Sequence, residues 1–293
     1  MINLRFHIVS LVAVFLALAI GIAVGATVVD QGLVSQSQRR IASLDRTLEE
    51  RAKTISDLRT ERNALDKFGL ESESRMVRDR LPSVALLFVT DGAIDDKRTA
   101  ALATTLRSSG ARIVGTLGIG ASIQLDSSDA LNRARIAVGA TSSRPDTVRF
   151  LVSEQLIQAI GQPNLSESLN GLVSAGLLAR RAAENGVFPG VLPVGTRVVF
   201  VHSAASTVDV KVTSSWIGRL VAVTPVVVVG ERDDPVIREV RDVTALAARV
   251  STVDDLLDRP GRVATVYALE DVTRGRVGHY GSGEGAERLL PAP

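Results

Sequence analysis

The chain has 293 residues, of which 45% are hydrophobic and only 3% are aromatic, and it contains no cysteine. Without cysteine there is neither a disulfide framework nor a thiolate metal site, so an ordinary hydrophobic core must stabilise the fold. The 34 basic and 32 acidic residues leave a net charge of +2. Because no basic stripe is interleaved with aromatic residues, we expect no nucleic-acid partner.

The first predicted element is a membrane anchor within residues 1–30. The segment Ile8–Val29 contains neither a charge nor a proline. As a helix it rises about 33 Å, enough to cross a hydrocarbon core of about 30 Å. Because Arg5 precedes it, the positive-inside rule predicts a single-pass cell-membrane protein with a cytoplasmic amino terminus and the rest of the chain outside, in the cell envelope. The alternative is a signal peptide cleaved after the small residues Val24–Ala26, although the apolar run is long for one.

Residues 31–80 carry a heptad pattern that predicts a coiled-coil stalk. With Val34 at position a, seven of the ten seam positions from Val34 to Leu65 are apolar, and charges of both signs lie between them. Arg51 and Arg62 weaken the seam, and polar seam residues fix register or partner number. We expect the stripe to drive self-association into an oligomer, because nothing else beside the membrane would bury it. The alternative is one amphipathic helix packed on its own globular domain.

Residues 81–293 alternate apolar runs with helical segments, which predicts an outward-facing α/β domain with a mixed, mostly parallel sheet and helices on both faces. The predicted strands are Ser83–Val89, Ala111–Leu117, Arg197–His202, Pro225–Gly230 and Arg262–Leu269. The predicted helices are Asp95–Ser109, Arg144–Ile160, Leu165–Asn185, Ser214–Val223 and a short one that begins at Ser251. The first strand–helix–strand unit predicts a parallel pair joined by a right-handed crossover.

The domain carries no recognised catalytic motif, and we predict that the protein is not an enzyme. Gly115–Gly120 lack the spacing of a dinucleotide-binding turn and are interpreted as a loop, and phosphate-binding and hydrolase-elbow motifs are absent. His202 ends a predicted strand with no neighbouring carboxylate, which favours a structural role. Asp91, Asp95 and Asp96 follow another strand. They suit a hard cation, but they more simply begin a helix whose dipole favours carboxylates.

Three segments of this sequence resemble a known family. They are Val9–Gly25 in the apolar span, Ser251–Asp255 (STVDD) followed by Pro260–Arg262, and Gly278–Gly283 (GHYGSG). In this order they bracket nearly the whole chain, and they are similar to the MctB-like copper transporter family of mycobacteria and corynebacteria. The resemblance implies an envelope protein of actinobacteria that is linked with copper efflux and copper tolerance.

The resemblance therefore implies that the protein handles copper, but few residues of the chain are suitable copper ligands. Copper(I) prefers thiolate, thioether and imidazole ligands, whereas this chain has two methionines and three histidines. His279, in the GHYGSG motif, is the predicted metal ligand, and His202 is the predicted second donor if the fold brings their strand ends together. The alternative is a glycine-rich turn in which His279 and Tyr280 pack against the sheet edge.

Two functions stay open at this point. The first is the copper-handling role that the resemblance implies. The second is a non-catalytic coiled-coil scaffold that docks a cell-envelope or cell-separation partner. An anchor, a stalk and a domain without catalytic motifs fit the second function on physical grounds, and the scarcity of copper ligands counts against direct copper binding.

Overall fold

The computed structural model describes residues 4–91, 96–161, 165–182, 186–203 and 205–291. The chain divides into two compact units, residues 1–67 and 68–293. A single helix, α1 (Leu4–Val77), runs through the first unit and ends in the second. Its segment Phe6–Gly25 is the one helical stretch in the described residues that is long and apolar enough to cross a membrane. This agrees with the predicted anchor, and the position of the segment near the amino terminus is also compatible with a signal sequence.

The predicted stalk lies within α1, which stays helical past the end of the heptad pattern. The six apolar seam residues whose side chains the structure describes are exposed in the single chain, from 49% at Ile55 to 64% at Leu65. A helix with an apolar stripe is normally stabilised by burying that stripe, and the exposed seam residues would become buried if two or more copies of α1 associated. Because the structure contains a single chain, the coiled coil stays a prediction.

The second unit contains a seven-stranded sheet with the strand order β3-β2-β1-β4-β5-β6-β7. The strands are β1 (Ala85–Asp91), β2 (Arg112–Ile119), β3 (Leu178–Ala182), β4 (Arg197–Val201), β5 (Val226–Val229), β6 (Ser251–Val253) and β7 (His279–Tyr280). All pairings are parallel except that of β3, an edge strand antiparallel to β2. The predicted mixed, mostly parallel sheet is confirmed.

Helices cover both faces of this sheet. They are α2 (Asp96–Ser108), α3 (Ser128–Ala137), α4 (Pro145–Gly161), α5 (Leu165–Ser168), α6 (Asn170–Ser174), α7 (Val210–Leu220), α8 (Pro235–Asp242), α9 (Thr244–Ala247) and α10 (Arg259–Thr273). Alternate residues of β1 enter opposite cores: Leu87 and Val89 pack with α4, α7 and α8, whereas Leu86 and Phe88 pack with α2 and α10. A parallel sheet buried on both faces requires such continuous apolar strands.

Three predicted elements were wrong in type. The run Arg262–Leu269, predicted as a strand, belongs to helix α10, and the helix predicted to begin at Ser251 is strand β6. Leu165–Asn185, predicted as one helix, forms α5, α6 and then β3, with residues 183–185 outside the described part. Periodicity alone cannot distinguish a short buried strand from a buried helix, so packing decides.

The glycine-rich stretch Gly115–Gly120 was also misinterpreted, because all but its last residue belong to β2 rather than to a loop. A Cβ atom at Gly115 would lie 2.8 Å from the Phe188 ring. Glycine at this position therefore allows the strand to pack closely against an aromatic ring, rather than forming part of a phosphate-binding turn.

The strand order reverses between β1 and β4. From β1 the chain moves outward through β2 to β3, and it then returns to β4 and continues in the other direction. In open α/β sheets, the carboxyl ends of the strands beside such a reversal form the usual ligand crevice. A functional site is therefore expected at this edge of the sheet.

Candidate functional site

Polar side chains follow several strands at this carboxyl edge of the sheet. Asp91 ends β1, His202 directly follows β4, Asp254 and Asp255 follow β6, and Ser282 lies just beyond β7. Both aspartates after β6 and the serine after β7 belong to the STVDD and GHYGSG motifs. The parallel arrangement brings these distant segments to one edge, where they form two clusters.

The first cluster is a buried histidine held between two carboxylates. His202 Nδ1 lies 2.6 Å from Asp234 Oδ2, and His202 Nε2 lies 3.0 Å from Asp91 Oδ2. All three residues are buried. Burial alone would lower the pKa of His202, but hydrogen bonds and charges from Asp234 and Asp91 raise it to about 9. At neutral pH the imidazole is therefore charged and donates both of its protons.

The two carboxylates are held in place by the surrounding backbone. Asp234 caps α8, where its Oδ1 accepts from the amides of Val236 at 2.9 Å and Ile237 at 3.2 Å. Asp91 Oδ1 accepts from the Ser203 amide at 3.2 Å. The structural role predicted for His202 fits this arrangement, but the expectation of no neighbouring carboxylate was wrong, because its partners come from other elements.

The second cluster joins the two motifs that carry the family resemblance. Asp254 accepts from the backbone amides of Ser282 at 2.7 Å and Gly283 at 3.1 Å. Asp255 Oδ2 accepts from the Ser282 amide at 3.0 Å and from its hydroxyl at 2.6 Å. The aspartates of STVDD thus bind the backbone of the GSG segment directly.

The glycines of GHYGSG make this contact sterically possible. A Cβ atom at Gly281 would lie 1.8 Å from Asp254 Oδ1, and one at Gly283 would lie 2.8 Å from Asp254 Oδ2. Gly281 also has φ +124°, a conformation that residues with a Cβ rarely adopt. The motif is therefore a backbone cradle for a carboxylate.

Two arginines complete this cluster. The side chain of Arg241 is only 5% exposed, and it donates to Asp254 Oδ2 at 3.1 Å, to Thr252 Oγ1 at 2.9 Å and to the Tyr280 carbonyl at 3.0 Å. The other, Arg232, donates to Asp255 at 2.9 Å. Because Arg241 contacts both β6 and β7, it links the two motifs from the side of α8.

The two aspartates differ in their proton affinity. Burial, together with the hydrogen bond to Asp255, raises the pKa of Asp254. Burial would raise the pKa of Asp255 too, but hydrogen bonds from Ser282, from Asp254 and from Arg232 lower it overall. Two neighbouring carboxylates commonly have different pKa values, because the negative charge on one disfavours ionisation of the other.

The predicted metal ligand His279 lies on β7 and is half-buried. Its Nδ1 lies 2.9 Å from Thr252 Oγ1. Burial and the nearby positive charge of Arg241 lower the pKa of His279, so this imidazole is neutral at pH 7. The predicted turn at the sheet edge is an edge strand instead, with Tyr280 buried beside His279.

The fold does not bring His202 and His279 together. Strands β5 and β6 lie between β4 and β7, and three strand spacings amount to about 14 Å. Both nitrogens of His202 are also engaged by carboxylates. Over the part of the chain that the structure describes, no group of three or more His, Asp or Glu side chains is arranged to hold a metal ion. The metal role of each histidine stays a prediction.

Sequence reasoning missed Asp234 and Arg241, which hold the two clusters together. One signal for Asp234 was available, since Asp234-Pro235 is a typical helix start, with a capping carboxylate followed by proline at the first helical position. No comparable signal marks Arg241. Its partners become visible only when β6 and β7 are paired.

Known proteins resemble this chain over nearly its whole length. Residues 1–291 match the family described as "Copper transport outer membrane protein, MctB". Proteins called "Copper transporter MctB" from Mycobacterium bovis and Mycobacterium tuberculosis are each 27% identical to it over 323 aligned residues, which cover 98% of this chain and 98% of each relative. The match includes the apolar amino-terminal helix and both interlocking motifs. The chain therefore belongs to the MctB family of copper transport proteins.

Proposed function

We propose that this protein contributes to copper efflux and copper tolerance as an anchored, self-associating and non-catalytic component of the cell envelope. The observation that carries the copper role is the family match over residues 1–291. In this proposal the amino terminus is cytoplasmic, the α/β domain faces outward, and the exposed apolar stripe of α1 joins several copies.

The proposal assigns the α/β domain a structural role in copper handling rather than storage of copper. Soft donors are scarce, since the chain has no cysteine and only two methionines, and copper(I) prefers sulfur. A lone membrane helix leaves no path for an ion. Passage of copper would therefore need several copies of this chain or an additional membrane partner.

A second candidate function, a scaffold for a cell-envelope or cell-separation partner, is favoured by the exposed seam residues of α1. Both functions use the anchor and the stalk. They differ in the effect expected when the protein is deleted. The copper role predicts copper accumulation, whereas the scaffold role predicts a defect in the envelope or in cell separation at normal copper content.

The deciding experiment compares a strain that lacks the protein with strains that express the parent or a variant. We expect the deletion strain to accumulate copper and to become copper-sensitive, and the parent to reverse both effects. A stalk variant with Leu44→Asp and Leu58→Asp should fail to reverse them, whereas a matched variant with Ser43→Asp and Thr60→Asp, off the seam, should succeed. Normal copper content in the deletion strain would refute the copper role.

A copper titration tests the predicted ligand His279 separately. The full-length protein in detergent is titrated with copper(I) and copper(II), followed by the His279→Ala variant. A His279 site should prefer copper(II), because the chain has no cysteine thiolate, and binding should weaken at acidic pH as the imidazole protonates. Equal affinity in both proteins would remove His279 from any ligand role, and the absence of binding would favour a structural domain.

A further inference from the structure

A cleft of about 330 Å³ lies between α4 and α7, away from the two clusters described above. Its apolar wall is formed by Phe150, Val212 and Trp216. Phe150 is 48% exposed, whereas Trp216 is nearly buried. A volume of this size is at the lower end of small-molecule sites, which combine apolar walls with a few placed polar groups.

The two arginines of the cleft are already paired with carboxylates. Arg219 Nη1 lies 2.6 Å from Glu154 Oε1, and Arg219 Cζ lies 4.3 Å from the centroid of the Phe150 ring. On the neighbouring helix, Arg149 Nη1 lies 3.0 Å from Asp146 Oδ1. Each guanidinium is therefore neutralised locally, and both are held in fixed positions at the wall.

Lys211 differs from these arginines. Its side chain is exposed at the rim of the cleft, next to Ser215, and its ammonium group makes no ion pair with any residue that the structure describes. Arg149 is paired with Asp146 within the lining, and Arg219 is paired with Glu154 just outside it, so Lys211 keeps the unpaired positive charge of the lining. Charge complementarity therefore favours a ligand with a single negative charge.

We propose that this cleft binds a small carboxylate monoanion with a compact apolar body. Lys211 pairs with the carboxylate, the Ser215 hydroxyl donates to it, and the exposed Phe150 ring contacts the apolar body together with Val212. A charge-assisted hydrogen bond supplies the anchor, and the apolar wall supplies the contact area. This ligand site goes beyond the copper role proposed above and does not depend on it.

The test uses Trp216, the only tryptophan in the chain, as a built-in fluorescence reporter. Full-length protein in detergent is titrated with 3-phenylpropionate and, in parallel, with 3-phenylpropanol and 3-phenylpropylamine, which keep the apolar body and change the charge. We expect a saturable change in emission with the carboxylate. The alcohol and the amine should bind at least about tenfold more weakly, as expected when one charge-assisted hydrogen bond is lost.

Two variants locate the anchoring charge. Lys211→Gln should weaken 3-phenylpropionate binding about tenfold, and Lys211→Glu should make the amine the preferred probe. The control Lys53→Gln removes an exposed lysine from α1 and should leave binding unchanged. Equal responses to the three probes, an unchanged affinity in Lys211→Gln, or no response in the parent would each overturn the proposal.

Discussion

At the scale of single residues, the backbone of Gly281 packs directly against the Asp254 carboxylate, with no space for a Cβ atom. We predict that Gly281→Ala lowers the free energy of unfolding by at least about 2 kcal/mol. The added Cβ atom would overlap Asp254 Oδ1 and would also require φ +124° in a residue other than glycine. The shift in the thermal unfolding midpoint of the full-length protein measures the effect.

A matched control separates these two causes. Gly139 also has a positive φ, +62°, but a Cβ atom there would meet nothing within 4 Å. Gly139→Ala should therefore cost only the backbone term, about 1 kcal/mol. Equal losses in both variants would show that the contact with Asp254 contributes nothing and would contradict the cradle.

The charged His202 predicts a specific dependence of stability on pH. Its pKa in the folded protein is about 9, above the ordinary histidine value of 6.5. The folded state therefore binds the proton more tightly, so this stabilisation is complete below pH 6.5 and is lost as the pH rises through 9. The shift corresponds to about 3 kcal/mol. Denaturant unfolding of the parent between these pH values should show this decline.

The comparison with His202→Gln isolates this contribution from other titrating groups. Glutamine is uncharged, and its single amide nitrogen cannot replace both ring nitrogens of the imidazolium. The variant should therefore be less stable at pH 6.5 and should lack most of the decline. A parallel loss of stability in both proteins would mean that His202 is not charged between Asp91 and Asp234.

At the scale of elements, the exposed seam of α1 predicts self-association. The full-length parent in detergent should sediment as an oligomer, and Leu44→Asp combined with Leu58→Asp should lower its mass, because each buried charge costs several kcal/mol. The pair Ser43→Asp and Thr60→Asp lies off the seam and should leave the mass unchanged. A monomeric parent would instead favour a stripe that packs within its own chain.

Helix α10 shows why a buried helix can be mistaken for a strand when only the sequence is considered. The run Arg262–Leu269 is rich in apolar and β-branched residues, which predicted a strand. In the structure its residues are buried against α2 and the sheet, including Val263, Val266 and Leu269. Burial around much of a helix removes the periodic pattern of exposed positions on which sequence reasoning depends.

At the scale of the whole molecule, the anchor prediction has a direct test. The mature, membrane-extracted protein should keep the segment Phe6–Gly25, because the segment is long and apolar enough to remain in the bilayer. Intact mass spectrometry measures this, and protease added outside the cell should digest the α/β domain. A mature chain that starts near Thr27 would identify a cleaved signal peptide instead.

The sequence by itself determined the features that depend on local pattern. The apolar span, the heptad stripe, the first β-α-β unit and the mostly parallel sheet all follow from the spacing of apolar residues along a continuous segment. The family resemblance was also local, since it rested on short motifs in a fixed order, and the match over residues 1–291 confirmed it.

Only the tertiary structure decided what these motifs do. Asp91, His202 and Asp234 meet because β1, β4 and β5 are parallel neighbours whose carboxyl ends lie at one edge of the sheet, and Asp254 reaches the backbone beyond β7 because β6 and β7 are neighbours. Such contacts join residues far apart in the chain, and single-sequence periodicity contains no information about which strands are adjacent. The order of the strands therefore separated the two histidines and brought each of the two carboxylate clusters together.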